Sequence, residues 1–315
     1  MLTARMHQPL VLLACAAVAG APAAAQVKIA RAPDRIQVEI GGQPFTALFV
    51  GADAVKPYLH PLRSASGKIV TRRYPMEEVA GESRDHIHHR GLWFGHGDVN
   101  GYDFWVNEAA EEGSKKGRVV LAKVVALEGG KKSGRIVALF DWLDTEGRPL
   151  VRESRTMTFY ADPAERIIDL DIDLEAVGKV TFGDTKEGTF AIRVARELEE
   201  PAGVLTNAEG ARGERNVWGK RSDWADYSGE IGGEKLGIAI VDHPANPRHP
   251  TYWHARGYGL FAANIFGLRD FENDRTKDGS LALASGEHLR FRYRVVIHPG
   301  DAVSARIAGR YAEYK

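Results

Sequence analysis

The feature that most constrains the fold is a series of short segments in which apolar and polar residues alternate, each followed by a turn signal. In residues 167–174, apolar residues alternate with acidic ones, as in a strand with one buried and one solvated face. This segment belongs to a predicted four-stranded antiparallel meander, whose strands are 118–127, 134–142, 150–160 and 166–174. A chain with this pattern is expected to fold into sheets.

Other parts of the sequence have the same pattern. Residues 35–40 and 45–50 flank a Gly-Gly pair, which is a hairpin signature. Later strands are predicted at 189–194, 235–241, 259–263 and 288–297. No βαβ alternation and no repeat of fixed period stands out, so we expect an all-β fold, one large antiparallel β-sandwich. A short C-terminal helix is predicted, capped by Asp301, with Val303, Ile307 and Tyr311 at four-residue spacing.

The N-terminus is typical of an export signal rather than of a fold. Arg5 precedes an apolar run over 9–20, and three alanines at 23–25 form a cleavage pattern. We therefore expect residues 1–25 to be a signal peptide and residues 26–315 to form a single β-sandwich domain, periplasmic or secreted. The alternatives are a lipoprotein signal ending at Cys15 and a membrane anchor, although the run is too short to span a bilayer.

Composition limits the partners. The 42 Lys and Arg residues balance 42 Asp and Glu residues, so no large single-sign field attracts nucleic acid, and no membrane span is expected. A small-molecule or glycan ligand is the expected partner. The single cysteine, Cys15, lies in the predicted signal, which leaves no disulfide and no Cys-based metal site in residues 26–315. Any metal must be bound by histidines and carboxylates.

Residues 85–100 carry the densest chemistry, because four of the eleven histidines occur here. On an extended strand, His86 and His88 would share one face and His89 would lie on the other. Three interpretations remain open. The histidines form a structural hydrogen-bond network, or His89 takes part in acid/base work, or His86, His88 and His96 bind copper, iron or zinc.

Two further segments supply partners for this chemistry. In residues 183–193, Asp184 and Glu187 lie beside a turn, and Arg193 follows on a strand. A carboxylate here can act as a general base, or it can simply stabilise the turn. In 252–259, His254 and Arg256 are two residues apart and share a face of an extended run. Glu187, His89 and His254 are the candidate catalytic residues. The candidate substrate-binding residues are Arg90, Trp93, Asp184, Arg193, Trp253 and Arg256, since Arg binds oxygens and Trp packs on sugar rings.

Several linked motifs resemble the PmoA-like family over nearly all of residues 26–315. They are Asp85-His86-x-His88-His89-Arg90-Gly91-Leu92-Trp93, Glu187-Gly-x-Phe190-x-Ile192-Arg193, Asp242-His243-Pro244-x-Asn246 and Trp253-His254-x-Arg256-x-Tyr258-Gly259-Leu260. Ile265 stands where the family pattern has Pro. Members of that family are labelled methane oxygenases, and the resemblance implies a galactose-mutarotase-like β-supersandwich.

Three functions follow as hypotheses. The first is a carbohydrate-active lyase, epimerase or hydrolase that uses His and Glu for acid/base chemistry in an open cleft. The second is the metal-dependent oxygenase that the family label suggests, with a divalent metal on histidines. The third is a non-catalytic glycan-binding protein.

Overall fold

The computed structural model describes residues 26–113 and 115–315, so the predicted signal peptide, residues 1–25, lies outside the described residues. Strands dominate the described chain. They are β1 (Val27–Arg31), β2 (Arg35–Ile40), β3 (Gln43–Phe49), β4 (Tyr58–His60), β5 (Leu92–His96), β6 (Tyr102–Asp103), β7 (Lys115–Lys116), β8 (Arg118–Glu128), β9 (Ser133–Leu143), β10 (Pro149–Tyr160), β11 (Arg166–Ala176), β12 (Val180–Phe182), β13 (Gly188–Arg193), β14 (Val204–Asn207), β15 (Trp224–Ile231), β16 (Glu234–Asp242), β17 (Tyr252–Arg256), β18 (Leu260–Asn264), β19 (Leu281–Leu283) and β20 (His288–Pro299). The helices are α1 (Glu214–Val217), α2 (Leu268–Phe271) and α3 (Ile307–Tyr314).

Two eight-stranded sheets organise these strands. The first sheet has the order β1-β2-β3-β4-β5-β13-β18-β17, and the second has the order β14-β15-β16-β20-β11-β10-β9-β8. Neighbouring strands within both sheets are antiparallel. The predicted all-β class is confirmed, and so is the meander, because β8, β9, β10 and β11 pair in sequence order.

The two sheets pack face to face around aromatic side chains. Phe190 of β13 stacks on Tyr293 of β20 with ring centroids 4.4 Å apart, and Phe94 of β5 lies 5.6 Å from Phe291 of β20. We call the side of the first sheet that meets the second its inner face. Because side chains alternate along a strand, Trp93, next to Phe94, lies on the opposite, outer face. The inner face forms the core between the sheets, so side chains on the outer face of the first sheet are not needed to join the two sheets.

Loops cover part of that outer face. Trp105, from the segment between β6 and β7, packs on Trp93 with ring centroids 5.1 Å apart. These two indoles form a second buried apolar cluster with Tyr58, Leu260 and two alanines, separate from the inter-sheet core. The outer face therefore has an apolar floor beneath the covering loops.

The C-terminal helix is confirmed, but its predicted start is wrong. Helix α3 begins at Ile307, and Arg306 precedes it with a φ of 55°. Asp301 instead accepts a hydrogen bond from the backbone N–H of Ser304, closing a turn before the helix. Val303 lies in that turn and is 80% exposed, so it does not share a buried face with Ile307.

Within residues 26–113 and 115–315, no helix combines the length and the apolar character needed to cross a bilayer.

Candidate functional site

The site lies on the outer face of the first sheet, over four of its eight strands: β5, β13, β18 and β17. Alternation places Trp93 of β5 and Arg193 of β13 on this face, and His254 of β17 lies across the sheet from them. Ala191 and Ala262 lie between these larger side chains, on β13 and β18. Because the alanines are small, the floor beneath the functional groups is low and allows large rings to lie on it.

A column of four stacked rings connects the preceding loop to this floor. Tyr258 stacks on His86 at 5.2 Å between ring centroids, His86 on His89 at 4.7 Å, and His89 on Trp93 at 5.1 Å. The ring of His88 meets His89 edge-on at 4.3 Å. The imidazole rings of His86, His88 and His89 are therefore in contact with one another.

The predicted strand geometry of these histidines is wrong, because residues 86–89 form a turn. The backbone N–H of His89 donates to the carbonyl of His86, whose φ is 43°. In an extended strand His89 would point away from His86, whereas the turn stacks the two rings. After the turn, the chain bends again at Gly91 before β5 begins. Gly91 has a φ of 57°, and a Cβ there would lie 2.2 Å from the carbonyl oxygen of Leu59, so only glycine fits this position.

Two buried arginines fix the turn in position. Arg72 donates to the Asp85 carboxylate at 2.7 Å and to the carbonyls of Asp85 and His86 at 2.9 and 2.8 Å. Arg193 donates to the hydroxyl of Ser83 at 3.0 Å and lies 3.3 Å from the Asp85 carboxylate. The side chains of both arginines are almost fully buried, so the clamp is rigid.

Arg193 also determines which nitrogen of His89 carries a proton. Its Nη1 lies 3.2 Å from Nδ1 of His89, and because a guanidinium only donates, Nδ1 is the acceptor. Burial lowers the pKa of His89 well below its usual value, and the charges of His88 and Arg193 lower it further. His89 is therefore neutral, with its proton on Nε2.

His88 forms a dyad with a carboxylate. Its Nδ1 lies 2.5 Å from Oε1 of Glu111. Burial lowers the pKa of His88 although the bond to Glu111 opposes this, and the pKa of Glu111 is lowered despite its burial, because of the bond to His88. The neutral ring thus donates from Nδ1 to an ionised carboxylate, which leaves a lone pair on Nε2.

His254 presents a buried basic nitrogen. Its Nδ1 donates to the carbonyl of Lys186 at 2.8 Å, so in the neutral ring Nε2 has the lone pair. No described residue is a hydrogen-bond partner of that Nε2, although it is buried. Burial lowers the pKa of His254 to about 4.

Glu187 is the charged neighbour of His254. Burial alone would raise the pKa of Glu187, but the charges of His254 and of Lys186, 2.8 Å away, outweigh it and the pKa is lowered. His88 acts on Glu187 in the same direction. A neutral imidazole beside an ionised carboxylate can accept a proton and then stabilise the charge, which is the requirement for general base work.

The predicted metal set is not brought together. His96 follows Phe94 on the inner side of β5, where its ring packs 4.5 Å from Phe266 and its Nε2 donates to the carbonyl of Gly183. His86 and His88 lie on the outer side, so strand alternation separates His96 from them. Among the described residues, no group of three His, Cys, Asp or Glu side chains is arranged to hold a metal ion. The three histidines named for copper, iron or zinc do not fit that role.

Two predicted substrate-binding residues lie away from the outer face. Trp253 points into the inter-sheet core, is fully buried and donates from Nε1 to the carbonyl of Ser222. Asp184 accepts from the backbone N–H of Gly279 at 2.6 Å, so its carboxylate fixes a loop. Side chains alternate along β17, so Trp253 points inward because its neighbour His254 points outward.

Two others border the site. Arg256 lies 2.7 Å from the Glu214 carboxylate and over the ring of Trp218. Arg90 donates to Glu108 at 2.6 Å and lies over the ring of Tyr58. Both remain candidates for binding oxygens. They lie on opposite sides of the cluster formed by His86, His88, His89, His254 and Glu187, which we call the histidine cluster.

Some important contacts had no signal in the sequence. Arg72 and Glu111 come from loops, and only the fold brings them to the cluster. Tyr258 was not among the candidate site residues, but it stacks on His86 and lies under the guanidinium of Arg193 at 4.6 Å. Its aromatic position two residues after Arg256 on the same face was the available signal.

The fold and site define a two-sheet antiparallel β-sandwich with an imidazole–carboxylate cluster on the outer face of one sheet. The chain belongs to a family of unknown function, DUF6807, whose model matches residues 35–312. The PmoA-like relationship stays a prediction from the sequence motifs. No curated protein sequence matches the chain.

Solved structures with a similar outline include sugar enzymes. A GH36 α-galactosidase from Geobacillus stearothermophilus aligns with 9% identity and a TM-score of 0.39, over 88% of this chain and 40% of that one. A galactose mutarotase-like protein from Lactobacillus casei aligns with 8% identity and a TM-score of 0.38, over 86% and 100% of the two chains. A putative aldose 1-epimerase from Escherichia coli aligns with 8% identity and a TM-score of 0.36, over 87% of this chain and 99% of that one. This chain spans less than half of the α-galactosidase, and at such scores the likeness does not indicate a substrate.

Proposed function

We propose that the histidine cluster performs general acid/base chemistry on a carbohydrate or sugar derivative. The observation that carries the proposal is the buried Nε2 of His254, a lone pair without a described partner beside the ionised Glu187. A buried acceptor without a partner is costly unless a ligand satisfies it. A hydroxyl group supplies both the hydrogen bond and the proton to be moved.

The other groups of the cluster suit a substrate with many oxygens. His88 is held by Glu111 with a lone pair on Nε2, and His89 carries its proton on Nε2, so one ring accepts and its neighbour donates. Arg193 and Arg72 hold the loop through which these rings are presented. We assign the proton transfer to His254 and Glu187, and the orientation of ligand oxygens to His88 and His89.

Turnover of sugars tests the proposal. Residues 26–315 are incubated in D₂O with free hexoses and with methyl and aryl hexosides, and ¹H NMR follows anomer exchange, deuterium incorporation and bond cleavage. His254→Asn removes the basic nitrogen and is expected to lower the rate about 10²- to 10⁴-fold, the usual contribution of a general base. Because the pKa of His254 is about 4, the wild-type rate should be lost as the pH falls through that value.

The control is His288→Asn, which changes an exposed histidine of the second sheet. Circular dichroism checks that both variants fold. An unchanged rate in His254→Asn would contradict the assignment, and saturable binding of a glycan without turnover would instead indicate a non-catalytic binding protein. Stoichiometric metal in protein purified without a His tag, lost in His88→Ala, would favour the metal-dependent alternative that the PmoA-like motifs imply.

We also propose that the protein is exported to the periplasm or secreted and that residues 26–315 act as one domain. The Arg5, apolar and alanine pattern supports the first point, and the continuous apolar core between the two sheets supports the second. N-terminal sequencing of the protein from a bacterial periplasmic fraction tests export, with Gln26 as the expected first residue. A protein retained in the cytoplasm with its first 25 residues would contradict it.

A further inference from the structure

The outer face of the first sheet has a second feature, a cleft of about 700 Å³ over β2, β3 and β4. It lies beside the histidine cluster, and Arg90 and Tyr58 form the border between the two. Its volume is in the range of small-molecule sites. None of the proposed proton-transfer groups lines this cleft, so its side chains require their own explanation.

His60 is the most unusual of these side chains. It lines the cleft from β4, two residues after Tyr58 and therefore on the same outer face. Its side chain is almost fully buried, yet neither ring nitrogen has a hydrogen-bond partner among residues 26–113 and 115–315. A buried imidazole with two unsatisfied nitrogens is costly in the ligand-free protein.

The charges around His60 are positive. Burial lowers the pKa of His60 to about 3, and the charges that lower it further are those of Arg63, Arg73 and Arg90. The ring is thus neutral and offers an N–H in a field created by three guanidinium groups. An anion is the ligand that such a field favours.

Two arginines flank an aromatic pair across the floor of the cleft. The rings of Phe49 and Tyr58 stack at 4.9 Å, Arg35 lies 5.5 Å over Phe49, and Arg90 lies 5.6 Å over Tyr58. These contacts hold both guanidinium groups in place by cation–π attraction. Nε of Arg35 is buried and has no hydrogen-bond partner among the described residues, although it lies 3.7 Å from the Asp34 carboxylate.

The carboxylates of the cleft are mostly at its rim. The side chains of Asp34 and Glu77 are more than half exposed, and Asp53 is exposed, whereas Glu39 is half-buried. Solvent screens the rim charges, while the arginines around His60 are less screened. Of the three arginines around His60, Arg90 is paired with Glu108 and Arg73 with Glu82, so the positive charge that has no ion-pair partner among the described residues is that of Arg63.

We propose that this cleft binds the carboxylate of an acidic sugar, with Arg63 and Arg90 pairing with the anion and His60 donating a hydrogen bond to it. Guanidinium groups are the side chains best suited to carboxylates. The sugar part of the ligand rests on the proposed function, because the cleft joins the histidine cluster at Tyr58.

Calorimetric titration with methyl β-D-glucuronide and methyl β-D-glucoside tests this inference. These ligands differ in the oxidation state of one carbon, a carboxylate in the first and a hydroxymethyl group in the second. The glucuronide is expected to bind at least tenfold more tightly, and Arg63→Gln should remove most of that preference. His60→Gln should do the same, and Arg63→Gln keeps the test decisive if His60→Gln does not fold.

The matched control is Arg135→Gln, which removes one positive charge from an exposed side chain on β9 of the second sheet. It should retain the preference. Equal affinity for the two ligands, no detectable binding of the glucuronide, or the same loss in Arg135→Gln would overturn the inference. Turnover of neutral glycosides without a preference for the carboxylate would overturn this inference alone, whereas glucuronide binding without any turnover would leave it and contradict the proposed catalysis.

Discussion

The buried histidines of the histidine cluster differ from His298 of the second sheet, and from the partly buried His249 in the loop after β16, in what their ring nitrogens contact. His298 of β20 places Nε2 2.7 Å from the buried carboxylate of Asp226, and His249 lies 2.7 Å from Asp242 and 3.3 Å from Asp223. His254 has one nitrogen bonded to a carbonyl and the other without a described partner. Burial alone therefore does not separate a structural histidine from a functional one.

The pKa directions express the same difference. The hydrogen bond to Asp242 raises the pKa of His249, and for His298 the bond to Asp226 overcomes the opposing effect of burial. Burial lowers the pKa of His88, His89 and His254. The bonds to Asp242 and Asp226 favour the protonated forms of His249 and His298, whereas burial keeps His88, His89 and His254 neutral, His88 in spite of its bond to Glu111.

The largest difference is expected between a buried histidine that has a carboxylate partner and one that has no partner, each replaced by leucine. His298→Leu leaves the buried Asp226 without its partner and is expected to lower the free energy of unfolding by about 3–5 kcal/mol. His60, in the cleft beside the histidine cluster, has no described partner for either ring nitrogen, so His60→Leu is expected to leave the free energy of unfolding unchanged or to raise it by up to about 3 kcal/mol. Urea denaturation measures both, and equal losses would contradict the distinction.

The two kinds of histidine should also differ in how their contribution to stability depends on pH. A histidine whose pKa is lowered by folding is neutral when folded but takes up a proton when unfolded, so stability falls below about pH 6.5. For His254, with a pKa of about 4, the loss reaches about 3 kcal/mol by pH 4. His298 has the opposite sign, since its raised pKa gives stability that is present below about pH 6.5 and lost as the pH rises through its folded value.

Denaturation at pH 7 and pH 4.5 checks this for the wild type, His254→Asn and His298→Leu. His254→Asn should lose less stability than the wild type on acidification. His298→Leu should also lose less, because acid neutralises the Asp226 carboxylate that the substitution leaves buried without its partner. Parallel pH curves for all three proteins would show that these side chains do not differ in this way.

A smaller effect is expected from the loop clamp. Arg72→Met removes the hydrogen bonds to Asp85 and His86 and should lower the free energy of unfolding by about 1–3 kcal/mol. Hydrogen exchange should increase first in residues 83–89, with β8–β11 unchanged. Uniform exchange across the chain would mean that Arg72 supports the whole fold rather than the cluster.

The smallest effect is expected for a paired histidine at the surface. His288 lies 2.9 Å from Asp173, as close as the buried pairs, but its side chain is 45% exposed. Solvent screens such a pair, so His288→Ala should change the free energy of unfolding by less than about 1 kcal/mol. A loss as large as that of His298→Leu would show that pairing, and not burial of the pair, sets the cost.

Much of the fold followed from the sequence, because alternation gives both the length and the buried face of a strand. The predicted segment 166–174 lies within β11, and 235–241 lies within β16. The segments that form the candidate site were also recognisable, since His88 and His89 were picked out by their density, and His254 by its spacing from Arg256.

Orientation within the site was harder to predict. Whether His96 faces inward or outward depends on where β5 begins, and the left-handed residue at position 91 sets that start. The parity of Trp253 and His254 has the same dependence on β17. Glu111 and Arg72 reach the cluster through long loops, and local sequence does not specify such contacts.

The ring column has an optical consequence. Trp93 lies 5.1 Å from both His89 and Trp105, so its excited state is in contact with an imidazole on one side and another indole on the other. Closely packed indoles couple electronically, and a fixed pair gives a near-ultraviolet circular dichroism band that disappears when packing loosens. A ligand that moves the 86–89 turn by a fraction of an ångström would change that band and the emission of Trp93, which makes the protein its own spectroscopic reporter.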